Sequence, residues 1–278
     1  EARRVLGAAG PLRSLPTAEV DRPWDDDLAM AMELAAWLES GDARSSALMK
    51  RYVRWFRENG RGAGSLMSSV LALSVRGETQ ASRKVWDSCC RFDRPPQGNG
   101  ALMRVAPVGF IGLEDPGKAR ELAQLDAALT HWDPICTEAS AFLALLVSAH
   151  LREEPDARGW AKAAMESRLS VELADAIEPR TLAGLEERGL DGWDMGHVLL
   201  TLQIAVSVLE SGLGFEAGLL WTLRQGGDAD TNGAVVGALL GARDGAEVIP
   251  AGWIRLVGEG DRIDAMARAF AAKAARAC

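Results

Sequence analysis

Trp24-Asp25-Asp26-Asp27 stands directly before an apolar helical stretch, and Gly226-Gly227-Asp228-Ala229-Asp230-Thr231-Asn232-Gly233 opens another. One or two acids at a helix start need no functional reading, because they cap free N–H groups and face the positive end of the helix dipole. Three in a row exceed that need. Adjacent carboxylates repel, and the surplus suits a cation. In the second cluster Asp228, Asp230 and Thr231 can converge on one point, while Gly226 and Gly227 let the backbone turn tightly and approach a ligand. Such an oxygen-only donor set fits Mg²⁺, Mn²⁺ or Ca²⁺ rather than zinc. The spacing is not that of an EF-hand, which places a glutamate at its twelfth position. A plain capping loop, with Asp230 or Thr231 as N-cap, is the competing reading.

Weaker signals lie elsewhere. Gly98-Asn99-Gly100-Ala101-Leu102-Met103-Arg104 reads as a turn opening a helix, whose N–H groups can cradle a phosphate. Gly60-Arg61-Gly62-Ala63-Gly64, before the helix expected at Ser65, reads the same way. Arg104 is expected at the surface or in a salt bridge. His131 falls in a turn between helices, whereas His150 and His197 read as ordinary helix residues. Gly233, Gly237 and Gly241, four apart, share one helix face and point to close helix packing.

The elements that must hold these residues are helical. Leu28, Ala31, Met32, Ala35 and Leu38 recur at three- and four-residue spacing. Similar patterns predict helices over 47–56, 66–73, 119–129, 138–150, 160–174, 195–209, 215–223, 231–242 and 263–275. Asn59-Gly60, Gly98-Asn99-Gly100, Glu153-Glu154-Pro155, Gly189, Gly226-Gly227 and Gly245 punctuate them. Alternating strands, a βαβ rhythm, a low-complexity linker and an internal repeat are all missing from the sequence. The expectation is one all-α domain over residues 1–278.

Composition narrows the function classes. With 31 Lys+Arg against 39 Asp+Glu, the net charge of −8 argues against general binding to nucleic acid or to anionic membranes. Cys89, Cys90, Cys136 and Cys278 form no CxxC pattern and are expected to be reduced thiols in a cytoplasmic protein. No secretory leader is visible, and the uncharged run 195–209 falls short of the ~20 apolar residues that span a bilayer. The chain starts at Glu1 without Met, so residues upstream are expected.

Taken in order, the segments resemble the ADP-ribosylglycohydrolase family. Trp24 to Ala31, WDDDLAMA, is similar to the family's W-T-D-D-T-x-M-A. Gly98 to Pro107, GNGALMRVAP, resembles G-N-G-x-x-M-R-x-x-P, and Thr130 to Pro134 resembles T-H-x-D-P. Gly226 to Gly241, GGDADTNGAVVGALLG, is similar to G-G-D-T-D-T-x-x-x-x-G-x-x-x-G, and Ile249-Pro250 followed by Trp253 fits the family's ending.

The resemblance covers about Trp24 to Trp253 and implies an all-helical hydrolase with two Mg²⁺ or Mn²⁺ ions at the base of an ADP-ribose cleft. By that resemblance Asp26, Asp27, Asp228, Asp230 and Thr231 are metal ligands, and Asp26 or Asp27 serves as acid/base. Gly98, Asn99 and Gly100 hold the diphosphate and ribose region, with His131 near the distal ribose. Trp193, after Gly192, is the candidate aromatic beside the ligand; a partly buried core tryptophan is the alternative. The substrate is an ADP-ribosylated protein or small molecule, with arginine the first acceptor to expect.

Three departures stand out. Asp25 occupies the place of a family threonine ligand, where a carboxylate still ligates a hard cation. Leu28 replaces a second threonine. The family's N-terminal G-D-A-x-G segment has no match between Glu1 and Pro23, Leu6-Gly7-Ala8-Ala9-Gly10 being nearest. Were these departures to cost activity, the chain would be a catalytically impaired ADP-ribose binder.

Overall fold

The computed structural model describes residues 24–166, 169–254 and 260–277. The segment in which the N-terminal motif was sought lies outside them, as does Cys278. The described α-helices are α1 (Asp26–Ser40), α2 (Ser45–Glu58), α3 (Ser65–Val75), α4 (Ala81–Cys90), α5 (Pro116–Thr130), α6 (Pro134–Leu151) and α7 (Ala157–Ala164). They continue with α8 (Val171–Ala176), α9 (Leu182–Arg188), α10 (Val198–Glu210), α11 (Phe215–Arg224), α12 (Ala229–Asp244), α13 (Ala251–Ile254) and α14 (Gly260–Ala277). Two 3-10 segments, Leu102–Arg104 and Ala106–Leu113, run between α4 and α5. Among the described residues there is no strand, only an isolated antiparallel bridge between Gly98 and His197. The fold is all-α, as its periodicity predicts.

Helix α6 is the axis of the bundle. Asp133 caps it by accepting from the Ile135 N–H, and Pro134 fits the first turn, where its missing N–H costs nothing. Every residue from Ala139 to Ala149 is buried, against α5, α7, α10, α12 and the Ala106–Leu113 segment. By length and composition α6 is apolar enough to cross a membrane, but it lies inside the bundle, with 72% of its residues buried. The uncharged run 195–209 is longer in sequence than that of α6 only because Glu138 interrupts α6. The glycine stripe of α12 packs as its spacing implies: a Cβ at Gly233 would come 3.2 Å from Leu223 of α11.

Two helices begin or end differently from their periodicity. The predicted helix over 160–174 breaks after α7, where Glu166 takes φ 54°, and Ser170 caps α8 by accepting from the Leu173 N–H. The predicted helix over 195–209 starts only at Val198. His197 is its N-cap, its ring accepting from the Leu199 N–H, rather than an ordinary helix residue. Cys89, Cys90 and Cys136 are free thiols.

One polar group crosses the core. Arg104 and Asp126 have fully buried side chains and pair at 3.0 Å. The Tyr52 hydroxyl donates to Asp126 Oδ1 at 2.6 Å, and the guanidinium lies over the Tyr52 ring, 4.6 Å from its centroid. Arg104 also donates to the carbonyls of Gly100 and Asp126 and to the Thr130 hydroxyl. The pair ties the Gly98–Gly100 loop to α5. A buried pair of this kind holds only when its remaining donors and acceptors are satisfied, as they are here.

Candidate active site

Both acid clusters sit at helix N-termini, where Asp230 Oδ1 accepts from the Thr231 N–H at 3.0 Å but the two N-cap residues do not cap. Asp25 is the N-cap of α1 and Asp228 that of α12, yet neither side chain makes a capping hydrogen bond. Helix α12 starts earlier than its apolar pattern implies, which places Asp230 and Thr231 in its first turn rather than at the cap.

Asp26, Asp228, Asp230 and Thr231 line a cleft of about 380 Å³ together with Gly98, Asn99, Gly100 and His131. Segments far apart in sequence are drawn together by three hydrogen bonds from Asn99. Asn99 donates from its side-chain amide to Asp228 Oδ2 at 2.7 Å and to Thr201 Oγ1 at 2.9 Å. Its backbone N–H donates to the Gly196 carbonyl at 3.0 Å. The Gly98–Gly100 turn opens only the short Leu102–Arg104 segment, and the Asn99 N–H is already occupied. The expected cradle of free helix N–H groups is therefore reduced, and Asn99 instead fixes an acid.

Electrostatics mark the carboxylates as uncompensated. Burial, then the charge of Asp25 and of both α12 acids, raises Asp26 from 3.8 to about 6. Asp27, buried more deeply, is raised to about 8 by burial and by the neighbouring carboxylates. Asp228 is raised by burial, partly countered by the Asn99 hydrogen bond. The two neighbours on α1 diverge. Asp26 lines the polar cleft, whereas Asp27 borders an apolar cavity of about 490 Å³ shared by α1, α6, α12 and α14. Asp27 Oδ1 is buried without a hydrogen-bond partner.

This donor set fits a divalent cation in kind: hard oxygens, repelling charges, an orphaned buried carboxylate oxygen, and no lysine or arginine lining the cleft. Among the described residues no group of three or more His, Cys, Asp or Glu stands close enough to hold a metal ion as placed.

The Gly60–Gly64 loop, expected only as a weak anion turn, contributes Gly62 and Gly64 to the cleft. Gly62 has φ 85°, and a Cβ there would stand 2.1 Å from Asp26 Oδ1. Only glycine lets this loop close over the acid. The Gly226-Gly227 pair behaves as its sequence implies: Gly227 has φ 64°, and a Cβ would meet the Leu190 carbonyl at 2.3 Å. Sequence reasoning missed Met195 and Gly196, which line the cleft from the segment before α10. Their signal was hidden by assigning that segment to the helix. Trp193, two residues earlier, is 97% exposed and does not line the cleft, so the core alternative for it is excluded.

Comparison with known proteins identifies the family. The profile of the ADP-ribosylglycohydrolase family matches residues 2–278, further toward the N-terminus than the quoted motifs reach. The ADP-ribosyl-[dinitrogen reductase] glycohydrolase of Rhodospirillum rubrum is 31% identical over 255 residues, which span 90% of this chain and 77% of the relative. An ADP-ribosylarginine hydrolase of Serratia proteamaculans is 24% identical, over 93% of this chain and 68% of its own length. A solved structure described as an ADP-ribosylglycohydrolase-related protein complex superposes with a TM-score of 0.74 at 29% identity, covering 98% of this chain and 87% of its own. The chain is a glycosidic-bond hydrolase and belongs to the ADP-ribosylglycohydrolase family.

Proposed function

We propose that the chain releases ADP-ribose from a mono-ADP-ribosylated acceptor, with arginine the first acceptor to test, in a reaction that depends on Mg²⁺ or Mn²⁺. The observation that carries this reading is the single cleft that Asp26, Asp228, Asp230 and Thr231 line together with Gly98, Asn99, Gly100 and His131. The Serratia relative, an ADP-ribosylarginine hydrolase, supports arginine as acceptor. The acceptor is either a protein side chain or a small molecule.

Cleaving the bond from ribose to a nitrogen or oxygen builds oxocarbenium-like positive charge at the anomeric carbon. A wall of carboxylates stabilises that charge electrostatically. Asp26, in the cleft and raised to about 6, is suited to accept a proton from an attacking water near neutral pH. Asp27 faces the apolar side and serves as a ligand or as a brace for Asp26 rather than touching substrate. Asp25, Asp26, Asp27, Asp228, Asp230 and Thr231 would hold two cations; when bound, these fix ribose hydroxyls, polarise water and offset the carboxylate charge. Asn99 keeps Asp228 turned to the cleft.

The test is chromatographic detection of ADP-ribose released from ADP-ribosyl-arginine with Mg²⁺, with Mn²⁺ and with EDTA. Release that EDTA abolishes is the expected result. Retained ADP-ribose affinity without release from arginine, serine or nucleobase conjugates would instead identify a catalytically impaired binder.

A further inference from the structure

His131 has two ring nitrogens in different surroundings. Nδ1 lies 2.8 Å from Thr130 Oγ1, while Nε2 reaches the cleft floor, 3.5 Å from where a Cβ on Gly98 would stand and 3.2 Å from one on Gly100. Among the described residues Nε2 meets no hydrogen-bonding partner in the protein. Which nitrogen carries the proton decides whether the cleft is offered a donor or an acceptor.

The buried network decides it. A guanidinium only donates, so at the 2.8 Å contact between Arg104 Nη2 and Thr130 Oγ1 the hydroxyl must accept. The hydroxyl's own proton then needs an acceptor, and among the described residues His131 Nδ1 is the one within hydrogen-bond distance. Arg104 has little freedom to withdraw, being held by Asp126 at two oxygens and at its carbonyl. Polarity thus runs in one direction, from Arg104 through Thr130 to the ring.

We infer that Thr130, oriented by Arg104, is a positioning residue that fixes His131 as the Nε2–H tautomer, so that the cleft presents a hydrogen-bond donor to an acceptor oxygen of the substrate. A phosphate or ribose oxygen of ADP-ribose is the complementary group; that last step rests on the function proposed above. Burial and the Arg104 charge also push the His131 pKa down to about 3, so the donor is a neutral imidazole rather than a cation. The Gly98–Gly100 loop fits this role, since a side chain at Gly100 would press on the ring.

The experiment is long-range ¹H–¹⁵N spectroscopy of the histidines in ligand-free wild type, Thr130→Val and Thr130→Ser, with the ADP-ribose Kd of each measured by calorimetry. Wild type is expected to show an unprotonated, hydrogen-bonded Nδ1 and a protonated Nε2. Thr130→Val should move the Nδ1 resonance toward that of an unbonded nitrogen and weaken ADP-ribose binding by roughly two- to tenfold, the scale of one hydrogen bond. Thr130→Ser should restore both. A protonated Nδ1 in wild type, or an Nδ1 resonance unmoved in Thr130→Val, would overturn the inference. The expected spectra without ADP-ribose affinity in wild type would uphold the positioning and overturn the ADP-ribose reading instead.

Discussion

Two regions of this molecule bury carboxylates and treat them in opposite ways. Asp126 lies in the core, and the chain supplies everything its charge requires: a guanidinium at 3.0 Å and a tyrosine hydroxyl at 2.6 Å. Asp26 and Asp228 line the cleft and Asp27 borders the apolar cavity beside it; burial first, and neighbouring carboxylates second, raise all three. A cost of this kind persists at a site that is used, because burying carboxylates beside each other weakens the fold with no structural return. The core acid comes with its counter-charge. No lysine or arginine lines the cleft beside the others.

If that contrast holds, substitution should separate activity from stability. Asp26→Asn removes a proton acceptor and one of the repelling charges. Turnover should fall by roughly 10²- to 10⁴-fold, while metal-free thermal stability is unchanged or higher. An active Asp26→Asn variant would sink the assignment. Asp126→Ala should do the reverse. It strands Arg104 in the core and should cost about 3–5 kcal/mol in urea unfolding, with a fall in Tm on the order of 10 °C. A loss under 1 kcal/mol would show that the core pair is not compensated as described.

The smallest expected effect is a slope with pH. In the metal-free fold Asp26 and Asp27, at about 6 and about 8, hold protons that unfolded aspartates near 3.8 release. The folded state therefore binds more protons than the unfolded state between about pH 4 and pH 8. Stability should fall as pH rises through that window, by up to about 1.4 kcal/mol per pH unit for each excess proton. Urea unfolding at pH 5 and pH 8 measures it. Saturating Mn²⁺ should flatten the slope, since a bound cation keeps the carboxylates ionised.

What the sequence disclosed follows from the range of the interactions. The helices announced themselves through local periodicity, and the acid clusters through a surplus that capping does not need. Gly226 and Gly227 were legible because their tight turn is a local demand, met by φ 75° and φ 64°. Three features were not legible, each depending on contacts distant in sequence. Gly62 is required by Asp26, a residue on another helix. Asn99, which lines the cleft, is also tied to Asp228 and Thr201. His197 is pulled out of its apparent helix by the bridge to Gly98. The different surroundings of Asp26 and Asp27 were equally hidden, since adjacent residues on a helix point in different directions.

The most direct test is a calorimetric titration of Mn²⁺ into wild type at pH 7, repeated in two buffers of different ionisation enthalpy. The account predicts binding accompanied by proton release, because Asp27, raised to about 8, must give up its proton as the counter-charge arrives. Asp228→Asn should abolish or strongly weaken the heat, and Trp193→Ala should leave it unchanged. No binding in wild type, or binding that survives Asp228→Asn undiminished, would contradict the proposal that the cleft acids hold a cation.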